Sequence, residues 1–498
     1  ATTFATDVLI AVNDTTIAAS DLIALNALST GKVTSTATTI SGTVANLGTV
    51  LATASTAIGR SASIAVTVTD TTVDALDLVL LDEQDADITN ARTTGRYTTG
   101  RFTLSSGSSL IGSQAEVVYI LGAKFGLADG TTPARFTNIK DVNITLDSGT
   151  RGTVTALSGT DIGSVISATN GKVTATSSST TIGNLLGAGK LSGTGHTISI
   201  GDITDDSITA ANLKTLDAVT TKTLTFDKST GGGSPAITGT AGDIKDVFAS
   251  SGFDKSTTKG IGASVVTASG NTSVADANII NAATTGALTA TISDTSMAAL
   301  AGLTSKTGAT NNTYTISVGD LELDAAALEV LRAKTTVVGS GISIAAANKI
   351  TGDLATLKKV YDTNAAGYNG EGAETIVVTD SNLKAADYIT VDGANTGGTI
   401  TTPNITGITG SVANIETLYA NANNRFNGTT GFANTLALTA TDATLDAAKI
   451  TTLVGKHSTN GGAAAGLTTG GLTLGTTVTL IQGSEAEMMT AFESNTPT

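Results

Sequence analysis

The chain has 498 residues, of which 96 are Thr and 56 Gly, with no Cys and no Trp. Hydrophobic residues make up 40%, too many for a disordered chain, and the missing Cys excludes disulfides, thiolate metal sites and Cys nucleophiles. A net charge of −15, from 42 acidic and 27 basic residues, argues against nucleic acid or an anionic membrane as partner, since both need clustered Lys and Arg.

Taken in chain order, the elements repeat. Val8, Ile10 and Val12 alternate as in a strand, which ends at Asp14, and apolar residues follow at plus three, plus eight and plus eleven: Ile17, Leu22 and Leu25. Ile64, Val66 and Val68 lead into Asp70, then Val73, Leu78 and Leu81. The pattern returns from Asp205 (Ile208, Leu213, Leu216), Asn271 (Val274, Ile279), Asp320 (Leu323, Leu328, Leu331), Asp380 (Leu383, Tyr388, Val391) and Asp442 (Leu445, Ile450, Leu453). Positions plus eight and plus eleven lie one helical turn apart, so the spacing predicts strand, turn and short helix, with the Asp bonding its own following backbone in the turn.

A second half-repeat is anchored by an apolar residue, any residue, Gly, then Thr, Ser or Asp. It occurs around Gly42, Gly112, Gly239, Gly352, Gly410 and Gly483, with a weaker copy at Gly159 and Asp294 in place of the Gly. Apolar residues five, eight and nine after the Gly, as in Leu47, Val50 and Leu51, form one helix face, and the residue after the Gly stands where an N-cap belongs. Gly352 and Gly410 lie 58 residues apart, so the reading is a single array over 1–498 of about eight degenerate units: 1–62, 63–140, 141–197, 198–262, 263–313, 314–373, 374–434 and 435–498. The predicted fold class is α/β, a repetitive parallel β-strand and short-helix solenoid, β-solenoid-like in its stacking. Leu104 to Lys140 and Phe226 to Gly262, which contain Arg135, Gly231-Gly232-Gly233 and Pro235, read as surface insertions, as does the neighbourhood of Arg96 and Arg101.

Units of this type, as in Ala11 to Ala54, Ile203 to Phe248 and Ile316 to Tyr419, resemble the Thr-, Gly- and Ala-rich, Cys-free repeats of giant bacterial cell-surface proteins, notably of marine cyanobacteria, one of them linked to swimming motility. The resemblance implies an extracellular structural or adhesive role.

Residues with chemistry are few. The two histidines, His196 and His457, sit in Gly- and Thr-rich segments without a carboxylate at motif spacing and read as exposed loop residues. No Ser stands in a nucleophile elbow, and the Gly-rich segments lack the Lys-Ser/Thr of a phosphate loop, so no catalytic, cofactor-binding or metal residue is assigned and the chain is read as a non-enzyme. The acidic run Asp82-Glu83-Gln84-Asp85-Ala86-Asp87 lacks the Gly and distal Glu of an EF-hand and reads as a solvated helix end. No cofactor is expected; calcium bridging acidic units in an assembly is the one such role left open. Thr suits a pleated, half-exposed strand face, and no run of about 18 apolar residues predicts a membrane span.

Ala1-Thr2-Thr3-Phe4 has neither a charged nor an apolar leader region, so any signal peptide has gone or export takes another route. Neither end reads as a polar cap, which leads to an extracellular or cell-surface structural protein that self-assembles head-to-tail into a filament or surface layer (S-layer). The competing reading is an adhesin binding a surface glycan or another cell through its insertions; partners are copies of itself and no nucleic acid.

Overall fold

The computed structural model describes residues 7–53, 57–60, 64–84, 102–121, 136–137, 139–147, 157–306, 311–337, 341–361, 368–425, 436–460 and 472–493. The fold is α/β, every described strand pair runs parallel, and among the described residues 16 helices are interleaved with the strands. The chain divides into two compact units, Ala1–Ile237 with Asp246–Ser264 and Thr238–Lys245 with Val265–Thr498.

In the first unit, one ladder joins Ile10–Val12, Val33–Ser35 and Ile58–Gly59, and another runs through Thr16–Ala18, Thr39–Gly42, Ala65–Val68, Phe102–Leu104 and Phe136–Thr137. A third joins Thr72–Asp74, Ser109–Gly112, Asn143–Leu146, Val173–Ser177 and Thr197–Ile200. The second unit builds the same kind of ladder, for example Glu322–Asp324, Lys349–Gly352, Thr375–Val378 and Ile400–Thr401, then Asn382–Lys384, Gly407–Gly410, Ala437–Ala440 and Leu472–Leu474. Paired residues of the named strands lie between 20 (Asn271 with Thr291) and 37 (Thr72 with Ser109) positions apart, enough for one helix in the crossover that parallel strands require. Because strand side chains alternate, each ladder has a buried file, such as Ile17, Ile40, Val66 and Phe102, and an outward file, such as Ala18, Ser41, Thr67 and Thr103. Thr recurs in those outward files, as at Thr67 and Thr103. Within each unit successive helices pack on one another: Ala19–Leu28, Val44–Ala52, Ala75–Gln84 and Gln114–Leu121 in the first, and Ala325–Arg332 through Glu485–Glu493 in the second.

The 58 residues from Gly352 to Gly410 carry two helices, Leu354–Tyr361 and Ala385–Ala394, as the half-repeats predict. The apolar residue three after each Asp, however, is the centre of a separate three-residue strand (Thr16–Ala18, Thr72–Asp74, Glu322–Asp324, Asn382–Lys384, Thr444–Asp446), not part of the turn. Two copies of the pattern are misplaced. Asn271 lies inside the strand Val266–Thr272, and Asp294, read as a substituted Gly, follows the strand Leu288–Ile292 and acts as a repeat Asp; near Gly159 the N-cap is Ser158, two residues before the expected Thr160, in a capping box with Asp161. The segment 226–262 is not one insertion, since it contains the strand Ala236–Thr240 and the helix Ala241–Ala249.

The anchor Gly has a steric cause. A Cβ at Gly42, Gly112, Gly352, Gly410 or Gly483 would come within 2.9, 2.8, 2.7, 2.9 or 2.9 Å of the Cβ of Ala19, Ala75, Ala325, Ala385 or Ala447. Those alanines begin the preceding helix and are fully buried, so the strand lies directly against the helix start and leaves no room for a second methyl. The residue after the Gly caps its own helix as expected: Thr43, Asp353, Ser411 and Ser484 accept from the backbone N–H three residues on, at 3.3, 2.8, 3.2 and 3.3 Å.

Candidate functional site: the joints between modules and the faces left open

The repeat Asp does not serve its own turn. Its carboxylate accepts a hydrogen bond from the first-turn N–H of the preceding module's helix: Val44 N–H donates to Asp70 at 2.8 Å, Ile182 to Asp205 at 2.7 Å, Val274 to Asp294 at 2.6 Å, Met297 to Asp320 at 2.6 Å, Leu354 to Asp380 at 2.6 Å and Val412 to Asp442 at 2.8 Å. A helix N-terminus has unmatched N–H groups and the positive end of its dipole, so a carboxylate from the next module satisfies both. The own-turn expectation is thereby corrected: the Asp is an acceptor that fastens module to module.

A second joint lies at the other helix end. Thr220 Oγ1 donates to the Ile198 carbonyl (2.8 Å) and accepts from the N–H groups of Ile198 and Lys222 (both 3.1 Å), and Thr335 does the same with Tyr314 and Val337. Ser29 and Thr169 donate to the carbonyls of Val8 and Lys140 and accept from the N–H of Gly31 and Gly171. A buried hydroxyl here replaces a strand partner where the ladder stops. Sequence reading missed this joint, although its signature, Ser or Thr two residues before Gly at a helix end, is visible in Ser29-Thr30-Gly31 and Thr169-Asn170-Gly171.

His196 is corrected from exposed loop to buried joint: it is 6% exposed and its Nδ1 accepts from the Val173 N–H at 3.0 Å. Burial, with the Lys172 charge adding to it, holds its pKa below the ordinary histidine value. Its role matches that of Asn312, whose Oδ1 accepts from the Leu288 N–H at 2.9 Å. The side chains of His457 and of Asp82 to Asp87, together with Arg96, Arg101 and Arg135, lie outside the described residues. Gly231, Gly232 and Gly233 all have positive φ (86°, 71°, 86°) in a turn tied to Asp206 through Ser229 and Thr230. Two acids are also well partnered: the buried Glu374 accepts from Tyr361 Oη (3.0 Å) and the N–H groups of Gly372 and Ala373, and the half-buried Glu329 takes Arg332 and Tyr368. Among the described residues no group of three or more His, Asp or Glu could hold a metal ion. No helix among them is long and apolar enough to cross a membrane.

The first and last described modules each leave one half of the carboxylate joint without a described partner. Asp14 is exposed, and no described residue donates to it; Glu485 N–H, at the place held elsewhere by Val44, Leu354 and Val412, has no described acceptor. Apolar positions buried in interior modules are open here. Leu25 is half-exposed where Leu81, Leu331 and Val391 are buried, Met488 is half-exposed where Leu47, Leu357 and Ile415 are buried, and Phe492 is 56% exposed where Leu51, Tyr361 and Tyr419 are buried. Leu9 at 76% and Leu480 at 52% stand beside them. No protein-family model matches the chain, and no curated protein matches it.

Proposed function

We propose that the chain is a non-catalytic, extracellular structural protein, a solenoid of strand–helix coils that self-associates head-to-tail into a filament or surface layer. The observation that carries this reading is that the side chains left uncovered on the first and last described coils occupy the positions interior coils bury against a neighbouring coil. An unpaired strand beside an apolar face is a template for another strand, and a heterologous contact between different faces propagates unless rotation closes it. Covering a large side chain such as Phe492 or Leu480 contributes about 1.5–3 kcal/mol each. Several together are of the same order as the ~4–15 kcal/mol of translational and rotational freedom lost on association.

The resemblance to Cys-free repeats of bacterial surface proteins supports the extracellular placement, as does a joint system that uses hydroxyls, carboxylates, the His196 imidazole, the Asn312 amide and backbone groups and needs no thiol. A net charge of −15 makes copies repel at low ionic strength, so association strengthens as salt screens it. Electron microscopy of the purified chain across a concentration series at physiological ionic strength tests the reading. Ordered filaments or lattices are expected; isolated particles at every concentration would refute it.

A further inference from the structure

The interior joints define the interface between copies down to its register. At three joints between an anchor-Gly strand and the strand of the next module that leads to its Asp, the same four contacts recur. Gly42 pairs with Val68, Gly352 with Val378 and Gly410 with Ala440. The apolar residue two before the Gly pairs with the apolar residue two before its partner: Ile40 with Val66, Ile350 with Ile376, Ile408 with Leu438, all fully buried. The Gly carbonyl accepts from the N–H one residue beyond the pair, in Thr69, Thr379 and Thr441, each at 2.9 Å. The Asp two residues beyond the pair accepts from the N–H two residues beyond the Gly, linking Asp70 to Val44, Asp380 to Leu354 and Asp442 to Val412.

The strand Leu480–Gln482, ending at Gly483, and the strand Ile10–Val12, ending before Asp14, each carry one half of this set. Gly483 has the anchor geometry against Ala447, Ser484 caps the helix, and Glu485 presents the N–H; Ile10, Val12, Asn13 and Asp14 present the complementary side. We propose that a second copy of this chain docks its Ile10–Val12 strand alongside Leu480–Gln482, with Ile481 facing Ile10, Gly483 facing Val12, the Gly483 carbonyl accepting from the Asn13 N–H, and Asp14 accepting from the Glu485 N–H. This deepens the head-to-tail reading and rests on it. The occupant is a second copy because the two halves are complementary in every position the interior joints use, including the half-exposed Ile10 and Ile481, whose counterparts are buried.

Three variants of the full chain test it. Asp14→Ala removes an exposed side chain to which no described residue donates, so the melting temperature of the dissociated protein stays unchanged while the concentration for half-assembly rises about tenfold or more. Glu485→Pro deletes the donor at the first helical position, which tolerates proline, and should weaken assembly equally. The double variant should be no weaker than either single one, because both break one bond. Register is read by placing cysteines in this Cys-free chain: Ala11→Cys with Gln482→Cys should give a ladder of covalent multimers on oxidation, and Ala11→Cys with Ser484→Cys should not. Assembly in micrographs with the second pair cross-linking, or with Asp14→Ala and Glu485→Pro additive, overturns this junction while sparing the head-to-tail reading. No assembly by the unaltered chain overturns both.

Discussion

The contact between Gly352 and Ala325 makes a quantitative prediction. A Cβ on Gly352 would lie 2.7 Å from the Ala325 Cβ, whereas carbon atoms settle at about 3.5–4.0 Å, so Gly352→Ala forces strand and helix apart by about 1 Å. The displacement falls on a well-packed joint, because Leu357 Cγ lies 3.5 Å from the same point and both Ala325 and Leu357 are fully buried. Overpacking of this kind costs about 1–3 kcal/mol. The reverse change, Ala325→Gly, loses one buried methyl and places Gly at a helix start, about 1–2 kcal/mol together.

Exchanging the two residues keeps the methyl but moves it across the interface. The double variant should therefore be more stable than the sum of the single ones by at least about 1 kcal/mol. Five of the seven tyrosines, at 314, 361, 368, 388 and 419, lie in the same part of the sequence, so urea unfolding followed by tyrosine near-ultraviolet dichroism reports on this part of the chain. Additive single effects would show that the Gly is there for another reason. A Gly352→Ala variant as stable as the parent would refute the steric account outright.

Three further outcomes follow from the joints. Asp380→Ala leaves the Leu354 N–H without its acceptor and should cost about 1–2 kcal/mol by the same urea measurement, with Asp380→Asn costing less. Thr220→Val keeps the shape but strands the N–H groups of Ile198 and Lys222, and a loss of about 1–3 kcal/mol is expected in thermal melts of the variant. His196 has a folded pKa below the ordinary 6.5, so the unfolded chain binds the extra proton: stability is full above pH 6.5 and falls as pH drops towards the folded value. His196→Asn should abolish that part of the slope between pH 7 and pH 5, and an unchanged slope would show that His196 is not its source.

The sequence showed the alternation of strands and helices because both half-repeats carry long apolar offsets, as in Asp320 with Leu323, Leu328 and Leu331. It hid the three-residue strands because a segment such as Thr16-Ile17-Ala18 has a single inward residue and cannot display period two. The Asp was visible as a fixed position, but its partner was not, since the Leu354 N–H that it accepts stands 26 residues before Asp380 and no local spacing marks it. The Gly and the Ala were each visible, yet their contact joins the start of one helix to the end of the next strand. His196 misled for a related reason: flanking Gly and Thr signal a loop locally, whereas its burial comes from Val173, a neighbour across the ladder.

These joints are also the contacts on which the proposed head-to-tail association draws. At the six carboxylate joints donor and acceptor sit on different modules, as where Asp353 caps its own helix through Thr356 N–H while the Leu354 N–H is taken by Asp380 of the next module. In the proposed junction a coil carrying the complementary half would cover Asp14 or the Glu485 N–H, and the stabilisation gained there is of the kind the interior joints already use. The consequence is measurable in the interior and at the ends alike. If the carboxylate joint contributes to assembly, Asp14→Ala should change association without changing folding, and Asp380→Ala should change folding while association, measured well below the melting temperature, keeps the parent concentration dependence. Variants that failed to separate in this way would mean that the Asp acts through the stability of its own module and not as a fastening between neighbours.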